Sequence, residues 1–240
     1  MEEITSDNFF NGRIRIRQKR GGYRFSSDAV LLAHGIKNRT GLQILDLGTG
    51  CGIIPLILAY RNPTVRICGI EVQKELADIA LLNVAENQMQ DRIVILHGDL
   101  KQLYSEMIPG PVDIVVSNPP YRKVNAGRIN PDPQKAVAMH EIKAALEDII
   151  QTACRVLDLS GKFLTIYPVQ RVVDLLEKMR FHGIEPKRLR MIHANAESEA
   201  RRVLVEGVKG GRPGVTIDPP LIIYSRFRTY SEEITKMLAP

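Results

Sequence analysis

Cysteine is scarce in this 240-residue chain. Only Cys51, Cys68 and Cys154 occur, isolated and odd in number. No Cys-x-x-Cys pair offers a zinc site and no disulfide framework is readable, so a reducing compartment is expected. Long apolar runs are missing too: none approaches the ~18–20 residues that span a bilayer. The opening MEEITSDNFF is acidic and polar, without the basic-then-apolar order of a secretion signal. Internal repeats and low-complexity tracts are absent. Together these absences predict a cytoplasmic protein with no membrane partner and no metal. What remains can bury a core: 44% of the residues are apolar, and a 25% charged fraction argues against global disorder. The length suits one large domain, or a domain with a short extension. Lys and Arg outnumber Asp and Glu by 33 to 27, a net charge of +6. That excess is compatible with a nucleic-acid partner, although its distribution matters more than its size.

From Gln43 onward, short apolar runs alternate with helical patterns. QILDLG (43–48), VRICGIE (65–71), RIVILHGD (92–99), DIVVSN (113–118) and GKFLTIYP (161–168) read as strands. GIIPLILAYR (52–61), KELADIALLNVAENQ (74–88), EIKAALEDIIQTACRVL (141–157) and QRVVDLLEKMRFHG (170–183) read as helices. Such alternation predicts an α/β fold with a mainly parallel sheet and helices on both faces. ARRVLVEGVKG (200–210) and PPLIIYS (219–225) have no helix between them and are expected to form an antiparallel hairpin. A seven-stranded, mostly parallel sheet ending in such a pair is the class I, Rossmann-like methyltransferase shape. The expected division is an extension over 1–40, with a basic strand and a short helix, and a catalytic domain over 41–240.

Three consecutive strands end in polar chemistry. DLGTGCG (46–52) follows the first. Gly48, Gly50 and Gly52 allow a sharp turn and close approach of a ligand to the backbone, and Thr49 lies between them. The spacing G-x-G-x-G differs from the dinucleotide fingerprint G-x-G-x-x-G, which disfavours a nicotinamide dehydrogenase. Asp46 would repel a phosphate but can hold an amino-acid moiety through water. The second strand ends at Glu71-Val72, where a carboxylate can accept both hydroxyls of a ribose. The third ends at Asp99-Leu100, placed to accept from an adenine amino group. Each feature alone also fits an ordinary turn or a solvated strand end. A ligand with an amino acid, a ribose and an adenine fits all three, and that ligand is S-adenosylmethionine, with S-adenosylhomocysteine as product.

The fourth strand ends in SNPPY (117–121). Alone, Asn118, Pro119, Pro120 and Tyr121 would pass for a turn. Beside a methyl-donor site they have a further use. An exocyclic amine is a poor nucleophile because its lone pair is delocalised into the ring. The Asn118 side-chain oxygen and the Pro119 carbonyl can accept its two N–H bonds and favour a tetrahedral nitrogen. The prolines stiffen the turn, and Tyr121 can stack on a flipped base. No general base, metal or covalent nucleophile is required.

DLGTGCG together with SNPPY resembles the amino methyltransferases of the class I fold. GGYRFSSDAVLLAHG (21–35), MHEI (139–142) and the stretch from EPKRLRM (185–191) to DPPLIIY (218–224) narrow the resemblance. They are similar to the bacterial adenine-N6 methyltransferases that modify the anticodon loop of a valine tRNA. The likeness runs over nearly the whole chain and implies that Phe25, Ser26 and Asp28 cover the cofactor. Asp28 would equally cap the helix that follows it. Met139 departs from the family pattern, where an arginine is expected before His140-Glu141.

The cations cluster. RIRIRQKR (13–20) should turn Ile14 and Ile16 inward and Arg13, Arg15 and Arg17 outward, followed by Lys19 and Arg20. This is either a solvated edge strand or an arm for RNA phosphates. Lys187, Arg188, Arg190, Arg201 and Arg202 form a second group, and Arg122 and Lys123 follow the SNPPY turn. Residues 122–138 are expected to form a loop that orders over substrate. The expected partner is tRNA, and no obligate protein partner is readable. The rivals are glutamine-N5 methylation of release factors, guanine-N2 methylation of ribosomal RNA, and a non-catalytic RNA-binding module. The release-factor enzymes usually carry a separate helical domain, for which about forty residues before the first strand are too few.

Overall fold

A computed structural model describes residues 4–22, 24–37, 39–119, 144–226 and 229–239. Strands β1 (Ile4–Phe9) and β2 (Ile14–Lys19) form an antiparallel hairpin, followed by helix α1 (Ser27–Gly35). The alternating part comprises β3 (Gln43–Leu47), α2 (Ile53–Arg61), β4 (Arg66–Glu71), α3 (Lys74–Glu86), β5 (Ile93–His97) and β6 (Val112–Ser117). After the segment outside the described residues come α4 (Leu146–Val156), β7 (Leu157–Pro168), α5 (Val172–Phe181), β8 (Ile184–His193) and β9 (Ala200–Lys209). The two-residue strands β10 (Thr216–Ile217) and β11 (Leu221–Ile222), the hairpin β12 (Tyr224–Arg226) and β13 (Thr229–Tyr230), and α6 (Glu232–Leu238) complete the chain.

The sheet order is β10-β8-β9-β7-β6-β3-β4-β5, with β11 also on β8. Strands β5, β4, β3, β6 and β7 are parallel, while β9 runs antiparallel to both β7 and β8. This is the class I methyltransferase fold, with nine strands in place of seven because β10 and β11 extend its edge. Side-chain alternation divides the core. Ile44, Ile67 and Val116 face α1, α2 and α3 on one side. Leu45, Ile70 and Val115 face α4 and α5 on the other. Among the described residues no helix is long and apolar enough to cross a membrane.

Two expectations need correction. The antiparallel hairpin is β8–β9, not 200–210 with 219–225; Leu221 and Ile222 pair parallel to β8 instead. The reason is a register shift between Pro186 and Arg188 that breaks the two-residue alternation of β8 and hides it from a period search. The helix expected over 141–157 is described from Leu146, where the Ala145 N–H donates to the Asp148 carboxylate at 2.8 Å. It ends at Val156 because Leu157 already belongs to β7.

The β1–β2 hairpin joins the same core through Phe10, Ile14 and Ile16. It is held against α3 by two asparagines one helical turn apart. Asn83 Oδ1 accepts from Arg17 N at 2.7 Å and its Nδ2 donates to Arg17 O at 3.1 Å. Asn87 does the same for Arg15, at 2.9 and 2.7 Å. Four helical residues rise about 6 Å and two strand residues about 6.8 Å, so side-chain amides on α3 keep step with the backbone of β2. The fully buried Asn83 also donates to Cys51 O at 2.8 Å, tying the hairpin to the glycine loop.

Candidate active site

The loop after β3 turns on glycine. Gly48, Gly50 and Gly52 have φ of 77°, 58° and 83°, a region costly for side-chain-bearing residues. The Gly48 and Thr49 N–H groups both donate to Ile70 O at 3.0 Å, folding the loop over the end of β4. Gly50 N donates to one Glu71 oxygen at 2.9 Å and Gln73 N to the other at 2.9 Å. Glu71 is thus fixed by two backbone donors and keeps lone pairs for further ones. Burial pushes its carboxyl up, against the pull of these N–H groups and of His97.

Beneath the loop Asp46 is fully buried, and neither of its oxygens has a hydrogen-bond partner among the described residues. Burial pushes its carboxyl up to about 7. Thr49 lies near enough to oppose the rise without meeting hydrogen-bond geometry, and the Glu71 charge adds to it. Room for Thr49 comes from the bare backbone of Gly69 in β4: a Cβ there would stand 2.9 Å from Thr49 Oγ1.

At the end of β6 the buried Ser117 hydroxyl donates to Leu47 O at 2.9 Å. This bond draws the residues after β6 to the glycine loop. Asn118 and Pro119 accordingly line one cavity of about 110 Å3 together with Gly48, Thr49, Gly50 and Glu71. Phe25, Val72, Asp99 and Leu100 also border it. Asp99 accepts from Lys101 N at 3.0 Å, capping a short 3-10 turn at residues 100–102.

Four residues expected at the cofactor lie off the cavity wall. Gly52 faces Ala80 across the start of α2, and Asp46 sits below the loop. Ser26 caps α1 by accepting from Asp28 N at 3.3 Å, so the cap is Ser26 rather than Asp28. Asp28 itself pairs with Arg202 at 2.9 Å. Pro120, Tyr121, Arg122 and Lys123, the 122–138 loop and the Met139-His140-Glu141 stretch lie outside the described residues. Gln73 and Leu76, from the start of α3, and Ile149 of α4 border the cavity without having been singled out. Leu76 and Ile149 carry only the ordinary signal of an apolar helix face. Gln73 could have been found from its place two residues after Glu71. Cys51 lines the cavity too, but burial holds its thiol at about 12, so it is wall and not nucleophile.

The expected RNA-contacting cations divide. Arg13, Arg15 and Arg201 are exposed; Arg20 is exposed as well but already engages a neighbouring group. Arg17 pairs with Glu86 at 2.7 Å and Lys19 with Glu75 at 2.6 Å, both toward α3. Arg188 pairs with Asp218 at 2.6 Å and Arg190 with Glu233 at 2.6 Å. Lys187 donates to Arg212 O at 2.9 Å. These pairings tie β8 and the hairpin to neighbouring segments.

Comparison with known proteins bears on this geometry. The family model described as methyltransferase small domain matches residues 24–181. A Porphyromonas gingivalis protein named tRNA1(Val) (adenine(37)-N6)-methyltransferase is 33% identical, over 99% of this chain and 95% of its own length. A Pedobacter heparinus protein of the same name is 29% identical, over 79% of each chain. Among solved structures, a predicted O-methyltransferase from Agrobacterium tumefaciens superposes with a TM-score of 0.71 at 23% identity, covering 88% of this chain and 94% of that one. That last likeness speaks for the fold alone. With a relative one-third identical along its whole length, and a family model spanning the cavity-forming segments, the chain belongs to the methyltransferase small domain family and to the tRNA1(Val) (adenine(37)-N6)-methyltransferase family.

Proposed function

We propose that this chain transfers a methyl group from S-adenosylmethionine to the exocyclic N6 amine of adenine in tRNA, at the anticodon loop of a valine tRNA. One observation supports this reading above the others: Asn118 and Pro119 border the same cavity as the glycine loop and Glu71. The donor set suits the cofactor. Glu71 offers remaining lone pairs to ribose hydroxyls, Ile70 and Leu76 offer apolar walls to a ring, and Asp99 offers an acceptor to its amino group. When bound, S-adenosylmethionine supplies an electrophilic methyl group. The protein's part is to hold the amine and its developing charge. Asn118 Oδ1 and the Pro119 carbonyl accept the two N–H bonds, which strengthens as positive charge grows on nitrogen. Ser117 keeps both acceptors in place, so much of the rate comes from positioning. Exposed Arg13, Arg15, Arg20 and Arg201 meet phosphates, and the site needs no metal. The protein works in the cytoplasm, where tRNA is found.

The test is incubation with unmodified tRNA and methyl-labelled cofactor, followed by nucleoside digestion. Labelled N6-methyladenosine is the expected product. Label confined to protein, or in N2-methylguanosine, would transfer the assignment to one of the rival amines.

A further inference from the structure

Resting on that reading, we propose that the C-terminal hairpin β12–β13 is a stacking surface for unpaired bases of the RNA substrate. Topology places it on the catalytic rim. Strand β8 runs parallel to the central strands, so its end at His193 lies on the same rim as the glycine loop and Asn118. Leu221 and Ile222 pair with Ile192 and His193, and the hairpin begins directly afterwards, with Tyr224 N donating to Ala194 O at 2.8 Å.

Tyr224 and Tyr230 are cross-strand partners. Their rings stack at 5.3 Å between centroids and 12° between planes, yet they remain 36% and 47% exposed. Cross-strand pairing explains the faces turned toward each other. It leaves unexplained why aromatic surface is kept open to solvent beside a reaction cavity. Two hollows connect the pair with its surroundings. One, of about 290 Å3, is bordered by both tyrosines and by Phe25, which also borders the reaction cavity. The other, of about 650 Å3, is bordered by the tyrosines with Asn195, Glu197 and Arg226. A run of aromatic surface therefore leads from the reaction cavity through Phe25 to the hairpin.

The polar groups favour bases over phosphates as occupants of the outer hollow. The Glu197 carboxylate would repel a phosphate, while it can accept from the amino groups of adenine or cytosine. Asn195 and Glu197 belong to the turn between β8 and β9, ordered by Glu197 N donating to Asn195 Oδ1 at 3.1 Å. Arg226 and Arg201, both exposed, supply positive charge at the rim for the backbone that carries those bases. Drawing one base into the reaction cavity unstacks its neighbours, and tyrosine faces next to the cavity restore part of that stacking.

The experiment compares full-length wild type with two double variants, Tyr224→Leu/Tyr230→Leu and Tyr224→Phe/Tyr230→Phe. Leucine keeps apolar volume and loses the π face; phenylalanine keeps the face. Unmodified tRNA is titrated by fluorescence anisotropy and cofactor by calorimetry. Expected are a Kd for tRNA raised about 5- to 100-fold in the leucine pair, a change within about twofold in the phenylalanine pair, and cofactor affinity unaltered in both. Photo-crosslinking of 4-thiouridine-substituted tRNA to the wild type should label Tyr224 or Tyr230, and this reading survives if the leucine pair fails to fold. An active wild type whose tRNA affinity is unmoved in the leucine pair, or whose crosslinks avoid both tyrosines, overturns the stacking surface and leaves the methyl transfer standing. The same holds if the leucine pair loses only self-association, which would make a second copy of the chain the occupant. A wild type that cannot methylate tRNA adenine overturns the proposed function, and the surface with it.

Discussion

Replacing Asp46 by asparagine separates the stability of the fold from its use of the cofactor. In the folded protein the carboxyl titrates at about 7 against an ordinary 3.8. The folded state therefore holds this proton more tightly than the unfolded chain does. Below about pH 4 both states are protonated and no penalty exists. As pH rises from about 4 to 7 the unfolded chain releases its proton and the folded one does not. Each unit removes about 1.4 kcal/mol of stability, reaching about 4 kcal/mol near pH 7 and staying constant above it. The group is fully buried, so solvent screening does not reduce the figure, although water entering the loop would make it an upper bound. Asparagine has a similar shape and carries no charge. Cofactor-free Asp46→Asn should match wild type near pH 4 and gain on it steadily up to pH 7. At about 2–4 °C per kcal/mol for a chain of this size, its melting midpoint at pH 8 should stand higher by up to ~16 °C. Other carboxylates titrate in both proteins, so the quantity to follow is the difference between their melting curves from pH 4 to 8. Calorimetry with S-adenosylmethionine should show little change in binding by the more stable variant, because Asp46 lies below the loop and off the cavity wall. Equal pH dependence of the two melting curves, or a less stable variant at pH 8, would refute the buried-charge argument.

Three further predictions follow from neighbouring contacts. Asn118→Ala should lower the single-turnover rate by ~10²–10³ while changing tRNA affinity little; a near-normal rate would return Asn118 and Pro119 to the status of a turn. Gly69→Ala should destabilise the protein by about 1–3 kcal/mol in urea unfolding, because its methyl would meet Thr49 at 2.9 Å, and Thr49→Ala in the same chain should restore part of that loss. Affinity for tRNA should fall with salt at a slope of about −0.7 to −0.9 per phosphate contact, and changing Arg13, Arg15 and Arg201 to Glu should flatten that slope; an unchanged slope would leave these arginines as solvated surface.

The parallel half of the fold was legible because its signals are local and repeat. Strands β3 to β6 are short apolar runs, and the residues at their ends change abruptly to glycine, carboxylate or proline. The same abruptness marked nine of the cavity-lining residues, from Gly48 to Pro119. The edge of the sheet was less legible. Two irregularities in β8, at Pro186 and Ile192, shift its inward positions, so Ile184, Leu189 and Ile192 are buried without a steady alternation. Leu221 and Ile222 then appeared to need an antiparallel partner, whereas they lie along β8 in parallel. Charge was legible as clusters along the chain, but not as pairings. Which arginines are committed to Glu86, Asp218, Glu233 or Asp28 depends on contacts between distant segments. Thr49 and Gly69 likewise fit each other through space, and nothing in either segment names the other.

The two asparagines on α3 also govern what β2 cannot do. A β-strand has two hydrogen-bonding edges. In β2 one is taken by β1, and the other meets the Asn83 and Asn87 amides at Arg17 and Arg15. Those two positions are therefore closed to strand addition by another chain. The alternating Ile-Arg sequence would otherwise be well suited to pairing with itself. A one-residue slip would expose Ile14 and Ile16 and bury Arg15 and Arg17. By fixing the register, the helix makes the most cationic strand of the protein a surface that can face a polyanion without also being a template for aggregation.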